Sequence, residues 1–362
     1  MTITAPAPVR STPAPESLRS GRLAAWVPWA LLGASLLVML AVFLVVGGAS
    51  GLNYGGWLVA SAVVYLVLIT VISTIVEGSR KATDRFVTGL VTVAFLIAMV
   101  PLVSVAITVV TNGVARFDPL FFTSSMRNVV GEGGGALHAI VGTLLVTLAA
   151  AIISIPIGLM TAVYLVEYGQ GRRLARGITF LVDVMTGIPS IVAGLFAYAL
   201  FVIFFGPGVR LGIMGSIALA VLMIPVVVRS TEEMLRLVPN ELREASFALG
   251  VPKWLTILKV VLPTAIAGIT TGVMLSISRV IGETAPLLIT AGFTDSMNYN
   301  LFEGRMQTLP VYTYTQYANQ GIPPELYTDR AWAAALTLII IVMLLNLVAR
   351  VIAKVFSPKT GR

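Results

Sequence analysis

Two ionisable side chains stand inside an apolar run, where charge is expensive: Arg279 and Glu283, within residues 261–290. A charge at the centre of a membrane helix costs roughly 2.5–3.5 kcal/mol on insertion scales, so such residues mark pathways for polar cargo. Four apart, they fall on one helical face, which Gly268, Gly272, Ser276 and Pro286 continue at steps of three and four. The small residues let a neighbouring helix come close. An arginine above them presents five donors to the oxygens of a dianion, and Glu283 would moderate its charge so that a bound anion can leave. The alternative is an intrahelical ion pair that neutralises itself and fixes packing. Arg229, near the end of the run 212–235 with Glu233 four residues on, is a second anion-path candidate or else a snorkelling interfacial arginine.

A different kind of chemistry, docking, is written in the polar insert 239–259 between two long apolar runs. Pro239 suits a first helical turn, Glu241 and Glu244 sit near the positive end of the helix dipole, and Gly250 suits a left-handed stop. Pro252 then opens a second short helical piece, whose Lys253, Trp254 and Lys259 suit a membrane surface. The pattern predicts a helix-turn-helix lying across one membrane face, either a coupling element for a partner or a solvated connector.

The elements that position these residues follow from composition. With 57% hydrophobic and 11% charged residues and a mean hydropathy of +0.95, the chain is far from the roughly one-quarter charged content of soluble domains. A membrane-spanning helix needs about 20 apolar residues. Eight runs meet that length: 23–47, 54–76, 86–111, 137–166, 178–205, 212–235, 261–290 and 331–356. The predicted fold class is all-α, a polytopic membrane helical bundle. An even number of spans puts both termini on one side. Of the 24 Lys and Arg, 17 fall on the side of the termini and the insert 239–259, against five on the other, which predicts that side to be cytoplasmic. The net charge of +8 is scattered at the ends of apolar runs, which argues against nucleic acid.

Residues 1–22, rich in Pro, Ala, Ser and Thr, read as a disordered cytoplasmic tail. The run after Arg22 is long and closely followed by another, so an uncleaved anchor is expected rather than a signal peptide. With no cysteine and one histidine, thiolate and histidine-rich metal centres are excluded. His138 is expected to be interfacial and solvated, and Asp183 to cap or to pair with Arg176. The stretch 291–330 is too polar to span and forms the largest outward surface, suited to a soluble binding partner.

The segment Glu244-Ala245-Ser246, with Gly250 and then Leu262-Pro263, resembles the EAA loop of ABC importer permeases. From about Phe86 onward the chain resembles the phosphate-specific transport permeases of bacteria, and their A-type subunit more than the C-type. The motifs are Ile155-Pro156-Ile157-Gly158, Gly187-Ile188-Pro189-Ser190, Ile224-Pro225-Val226 leading to Glu232, Gly282-Glu283-Thr284-Ala285-Pro286, and Met306-Gln307-Thr308-Leu309-Pro310. The resemblance implies a type I importer permease of six spans over 77–362, with 23–76 adding two further N-terminal helices beyond the family pattern. It implies phosphate as cargo, an arginine at the 279 motif in the anion path, a homologous C-type permease, a cytoplasmic ATPase dimer that binds Mg·ATP, and an extracytoplasmic phosphate-binding protein. It also implies a bacterial inner membrane.

No Gly-x-x-x-x-Gly-Lys-Ser/Thr loop occurs, so ATP hydrolysis is expected on another polypeptide and no cofactor on this one. Another oxyanion such as molybdate or phosphonate is the nearest alternative cargo. An ion-coupled secondary transporter is the nearest alternative class, although it has no need of a docking helix and no inverted repeat is evident. A non-transporting scaffold fits poorly with charges inside spans.

Overall fold

A computed structural model describes residues 23–47 and 53–356, so the expected tail 1–22 lies outside the described residues. Among these, every regular element is helical. The helices are α1 (Val27–Gly47), α2 (Tyr54–Glu77), α3 (Ser79–Gly113), α4 (Pro119–Thr123), α5 (Leu137–Val163), α6 (Arg173–Thr186), α7 (Ser190–Phe205), α8 (Gly212–Arg236), α9 (Asn240–Ala248), α10 (Lys253–Thr256), α11 (Leu262–Val280), α12 (Ala285–Thr290), α13 (Leu309–Ala318) and α14 (Pro324–Phe356). Two π-helical turns, Tyr164–Tyr168 after α5 and Ile257–Val261 before α11, each carry the i→i+5 bond of that geometry, Gly169 N–H to the Tyr164 carbonyl and Leu262 N–H to the Ile257 carbonyl. Seven helical stretches among the described residues are long and apolar enough to cross a membrane. With α6 and α7 counted as one bent pair, they make the eight runs expected.

Two of those runs depart from a straight span. The run 178–205 breaks between α6 and α7, which meet at 111°. The cause is local: Pro189 has no N–H to continue the ladder and disfavours helical geometry at Ile188. The run 261–290 also breaks, because α11 ends at Val280 and α12 restarts at Ala285 after a turn through Gly282.

The chain divides into two compact units, Met1–Val105 and Ala106–Arg362. In the first, α1 packs on α2 through the Trp57 indole, which donates to the Leu36 carbonyl at 3.0 Å, and through buried Ser35 and Ser61. The α2–α3 turn is tied by the Glu77 carboxylate, which accepts from Leu23 N–H at 3.0 Å, Ser73 Oγ at 2.9 Å and Arg85 Nε at 2.7 Å. Apart from this knot, α1 and α2 are apolar all round and largely exposed, the surface of helices solvated by lipid.

In the second unit α5 and α8 form the central pair, with α11, α14, α7 and α12 around them. Three apolar clusters follow one another along α5: around Phe121, Ala139 and Tyr312; around Val146, Leu219 and Val280; and around Ala162, Leu235 and Val261. The crossing of α11 over α8 depends on Gly272, where a Cβ would lie 2.4 Å from Ser230 Oγ. Here the small residues do what their spacing suggests and bring two backbones together.

Candidate functional site

The insert 239–259 folds as a closed hairpin. Pro239 caps α9 with Glu241 in its first turn, and Gly250 terminates it at φ +76°. Gly250 N–H donates to the Phe247 carbonyl at 2.9 Å and Val251 N–H to the Ser246 carbonyl at 3.2 Å, the two bonds of a Schellman stop. A Cβ at 250 would meet nothing within 4 Å, so glycine is required by the backbone angle and not by space. Pro252 caps α10, and the buried Ser246 and Thr256 hydroxyls meet at 2.8 Å to close the pair. This leaves Glu241, Leu242, Glu244, Ala245 and Leu249 exposed, an acidic and apolar outward surface.

The inward side of the hairpin is bolted to the end of α5. Arg243 Nη2 and Nε lie 2.9 and 3.1 Å from Glu167 Oε1, with the two side chains only 12% and 7% exposed. Arg243 also donates to the Leu235 carbonyl at 2.9 Å and the Val238 carbonyl at 2.6 Å. Lys253 Nζ donates to the Glu167 carbonyl and stands 5.0 Å from the Tyr168 ring centroid. Glu167 stands 76 residues from Arg243, and no local spacing signals their meeting.

Arg229 sits in a charged chain across α6 and α8. It donates to Glu232 Oε2 at 2.8 Å and to Asp183, while Arg236 reaches Glu232 Oε1 at 2.5 Å. The partner of Asp183 is thus Arg229, not Arg176, and the partner of Arg229 on its own helix is the buried Glu232, three residues on, and not Glu233. An i+3 carboxylate faces the protein here, whereas the i+4 one is exposed.

Arg279 and Glu283 do not share a helical face as their spacing predicts. Arg279 is exposed in the last turn of α11, and Glu283 lies beyond the helix end, its N–H bonded to the Val280 carbonyl at 3.1 Å. Among the described residues neither forms an ion pair. The buried stripe of α11 runs through Gly272, Ser276 and Val280, and Arg279 points away from it with its donors uncommitted.

His138 corrects another expectation. It is 2% exposed, its Nε2 is 3.2 Å from Gln307 Oε1, and its ring meets that of Tyr312 edge-on at 5.5 Å. Burial pushes the Tyr312 hydroxyl above its ordinary range. The stretch 291–330 is not all outward surface: it contains α13 and the first turns of α14, and Met306 through Tyr312 are buried. Arg330 is buried too, donating to the Leu326 and Gly131 carbonyls at 2.9 and 3.0 Å.

A model of the family described as "Binding-protein-dependent transport system inner membrane component" matches residues 154–362. The phosphate transport system permease protein PstA of Mycobacterium leprae is 50% identical over 273 residues, 74% of this chain and 88% of that protein. PstA 1 of Mycobacterium tuberculosis H37Rv is 47% identical over 278 residues, 75% and 88% of the two chains. PstA of Pasteurella multocida is 39% identical over 285 residues, 78% and 97%. Among solved structures, an inward-facing MetNI methionine ABC transporter chain aligns with a TM-score of 0.51 at 21% identity, covering 61% of this chain and 96% of that one, a likeness of fold.

Proposed function

Since the chain belongs to the family of binding-protein-dependent transport system inner membrane components, a multi-pass ABC importer permease with no catalysis of its own, we propose that it carries inorganic phosphate into the cell. The names of its relatives support phosphate as the cargo. One observation carries the mechanism: a hairpin with an exposed acidic and apolar surface on one side and a buried ion pair to α5 on the other.

In this reading α9 docks into a cleft of a cytoplasmic ATPase, two copies of which bind and hydrolyse Mg·ATP. Glu241, Glu244 and Ala245 face that partner, and Gly250 and Pro252 hold the hairpin's shape. Closure of the ATPases pushes the hairpin. The push reaches α8 and α11 through the chain and α5 through Arg243 and Glu167, so three helices move with it. Arg279 supplies positive charge to the anion path, with Glu283 beyond the helix end limiting how tightly the anion is held; Arg229, partly committed to carboxylates, contributes at the other helix. A homologous C-type permease completes the path, and an extracytoplasmic phosphate-binding protein delivers cargo to the exposed part of 291–330. Both termini are cytoplasmic in a bacterial inner membrane.

Coexpression with these partners in cells lacking their own phosphate importer tests the reading. Uptake of radiolabelled phosphate that needs ATP hydrolysis, and that excess molybdate or phosphonate does not displace, is the expected result. Uptake driven by an ion gradient without the ATPase would overturn it.

A further inference from the structure

A cavity of about 540 Å³ opens between the end of α5, the end of α8 and the α9–α10 hairpin. Arg172, Arg236, Arg243 and Lys253 line it from four separate segments, against Glu167 as its lone carboxylate. Charges that only set membrane topology have no reason to converge on one concave space. Their commitments also differ. Arg243 spends its donors on Glu167 and on backbone carbonyls, and it cancels that carboxylate. Arg172 forms no ion pair among the described residues, and the side chain of Arg236 is 69% exposed with one nitrogen held by Glu232. Lys253 uses one donation on the Glu167 carbonyl. The cavity therefore holds surplus positive charge and unspent N–H donors, the requirements for a multiply charged oxyanion.

We propose that this cavity is a second anion site, distinct from the transport path, that takes a phosphate group on the hairpin side of the bundle. Arg172 and Arg236 are its principal donors and Lys253 closes it from the hairpin. The group is carried either by free phosphate or by an anionic lipid headgroup. Because the site is built partly from the hairpin, its occupancy bears on the same joint that Arg243 and Glu167 hold shut. The inference stands apart from the identity of the transported cargo.

The chain contains no cysteine, so Gln170→Cys places a single thiol of this chain in the cavity wall. The test is the rate at which that thiol, in the assembled transporter in nanodiscs, reacts with an anionic methanethiosulfonate reagent. In pure phosphatidylcholine, millimolar inorganic phosphate is expected to slow the reaction about threefold or more beyond chloride at equal ionic strength, which controls for screening. If the source is lipid, phosphatidylglycerol produces the slowing and added phosphate adds nothing. Either protection is expected to vanish in Arg172→Gln/Arg236→Gln, while Arg279→Gln leaves it in place. Labelling indifferent to both phosphate and phosphatidylglycerol would overturn the proposal. So would protection that survives the double substitution, or a thiol unreactive in the assembled complex, since the cavity is then closed to any anion.

Discussion

The guanidinium groups of Arg243 and Arg279 make opposite use of the same chemistry. Arg243 has no carboxylate three or four residues away on its buried side, yet it finds Glu167 across 76 residues and becomes almost fully enclosed. Arg279 has Glu283 at the ideal helical spacing, yet the helix ends between them and both remain unpaired among the described residues. Spacing predicts a pair only while the helix lasts. The difference matches the two roles proposed for them: the enclosed, saturated arginine for transmitting force between elements, the exposed one with free donors for exchanging ligands.

The sharpest way to break this contrast is to remove Glu167. Glu167→Ala leaves Arg243 enclosed without its counter-charge, a change that typically costs about 3–5 kcal/mol. We expect a marked fall in thermal stability of the purified subunit complex and ATP hydrolysis no longer linked to uptake. Exchanging the charges, Glu167→Arg with Arg243→Glu, should recover part of the linkage; equal loss in the single and exchanged variants would reduce the pair to packing.

Arg279→Gln should behave in the reverse manner, with stability unchanged within about 0.5 kcal/mol because the side chain is exposed, and uptake down at least about tenfold through loss of charge. Lysine should fall between glutamine and arginine. Since Glu283 is not its partner, Arg279→Gln/Glu283→Gln should not recover uptake at matched membrane levels. Full uptake in that double variant would make Arg279 a structural residue after all.

Gly250→Val places a β-branched residue at positive φ, a strain of about 1–2 kcal/mol. The expected outcome is normal membrane insertion with reduced copurification of the ATPase; undiminished recovery and transport would remove the hairpin's shape from the coupling argument. The smallest effect is expected at Asp183→Asn, whose ion pair with Arg229 is largely exposed and worth about 0.2–1 kcal/mol. A double-mutant cycle with Arg229→Gln, read by thermal unfolding, checks it, and a coupling well above that range would show that the α6–α8 tie is a structural lock.

Composition made the helical bundle legible, because apolar runs of span length admit few other solutions in lipid. The hairpin was equally legible, since Pro239, Gly250 and Pro252 act on the backbone next to them and need no tertiary context. What stayed hidden was long-range. The burial of His138 depends on Gln307 and Tyr312, and the enclosure of Glu167 on Arg243, partners that no window along the chain contains. The breaks at Ile188–Pro189 and at Gly282 were written in the residues but were outweighed by hydropathy, which counts apolar length and ignores direction.

The first π-helical turn, Tyr164–Tyr168, contains Glu167 itself, and the second, Ile257–Val261, begins four residues after Lys253. Such a turn holds one residue more than an α turn, and one residue is about 100° of rotation around a helix axis. Each therefore acts as a phase shifter. Glu167 and Lys253, which meet through the Glu167 carbonyl, thus lie on segments clocked differently from the α-helical bodies of α5 and α11. Deleting a single residue other than Glu167 from either turn would keep the joint's own side chains and swing them out of register, a change in timing rather than in parts.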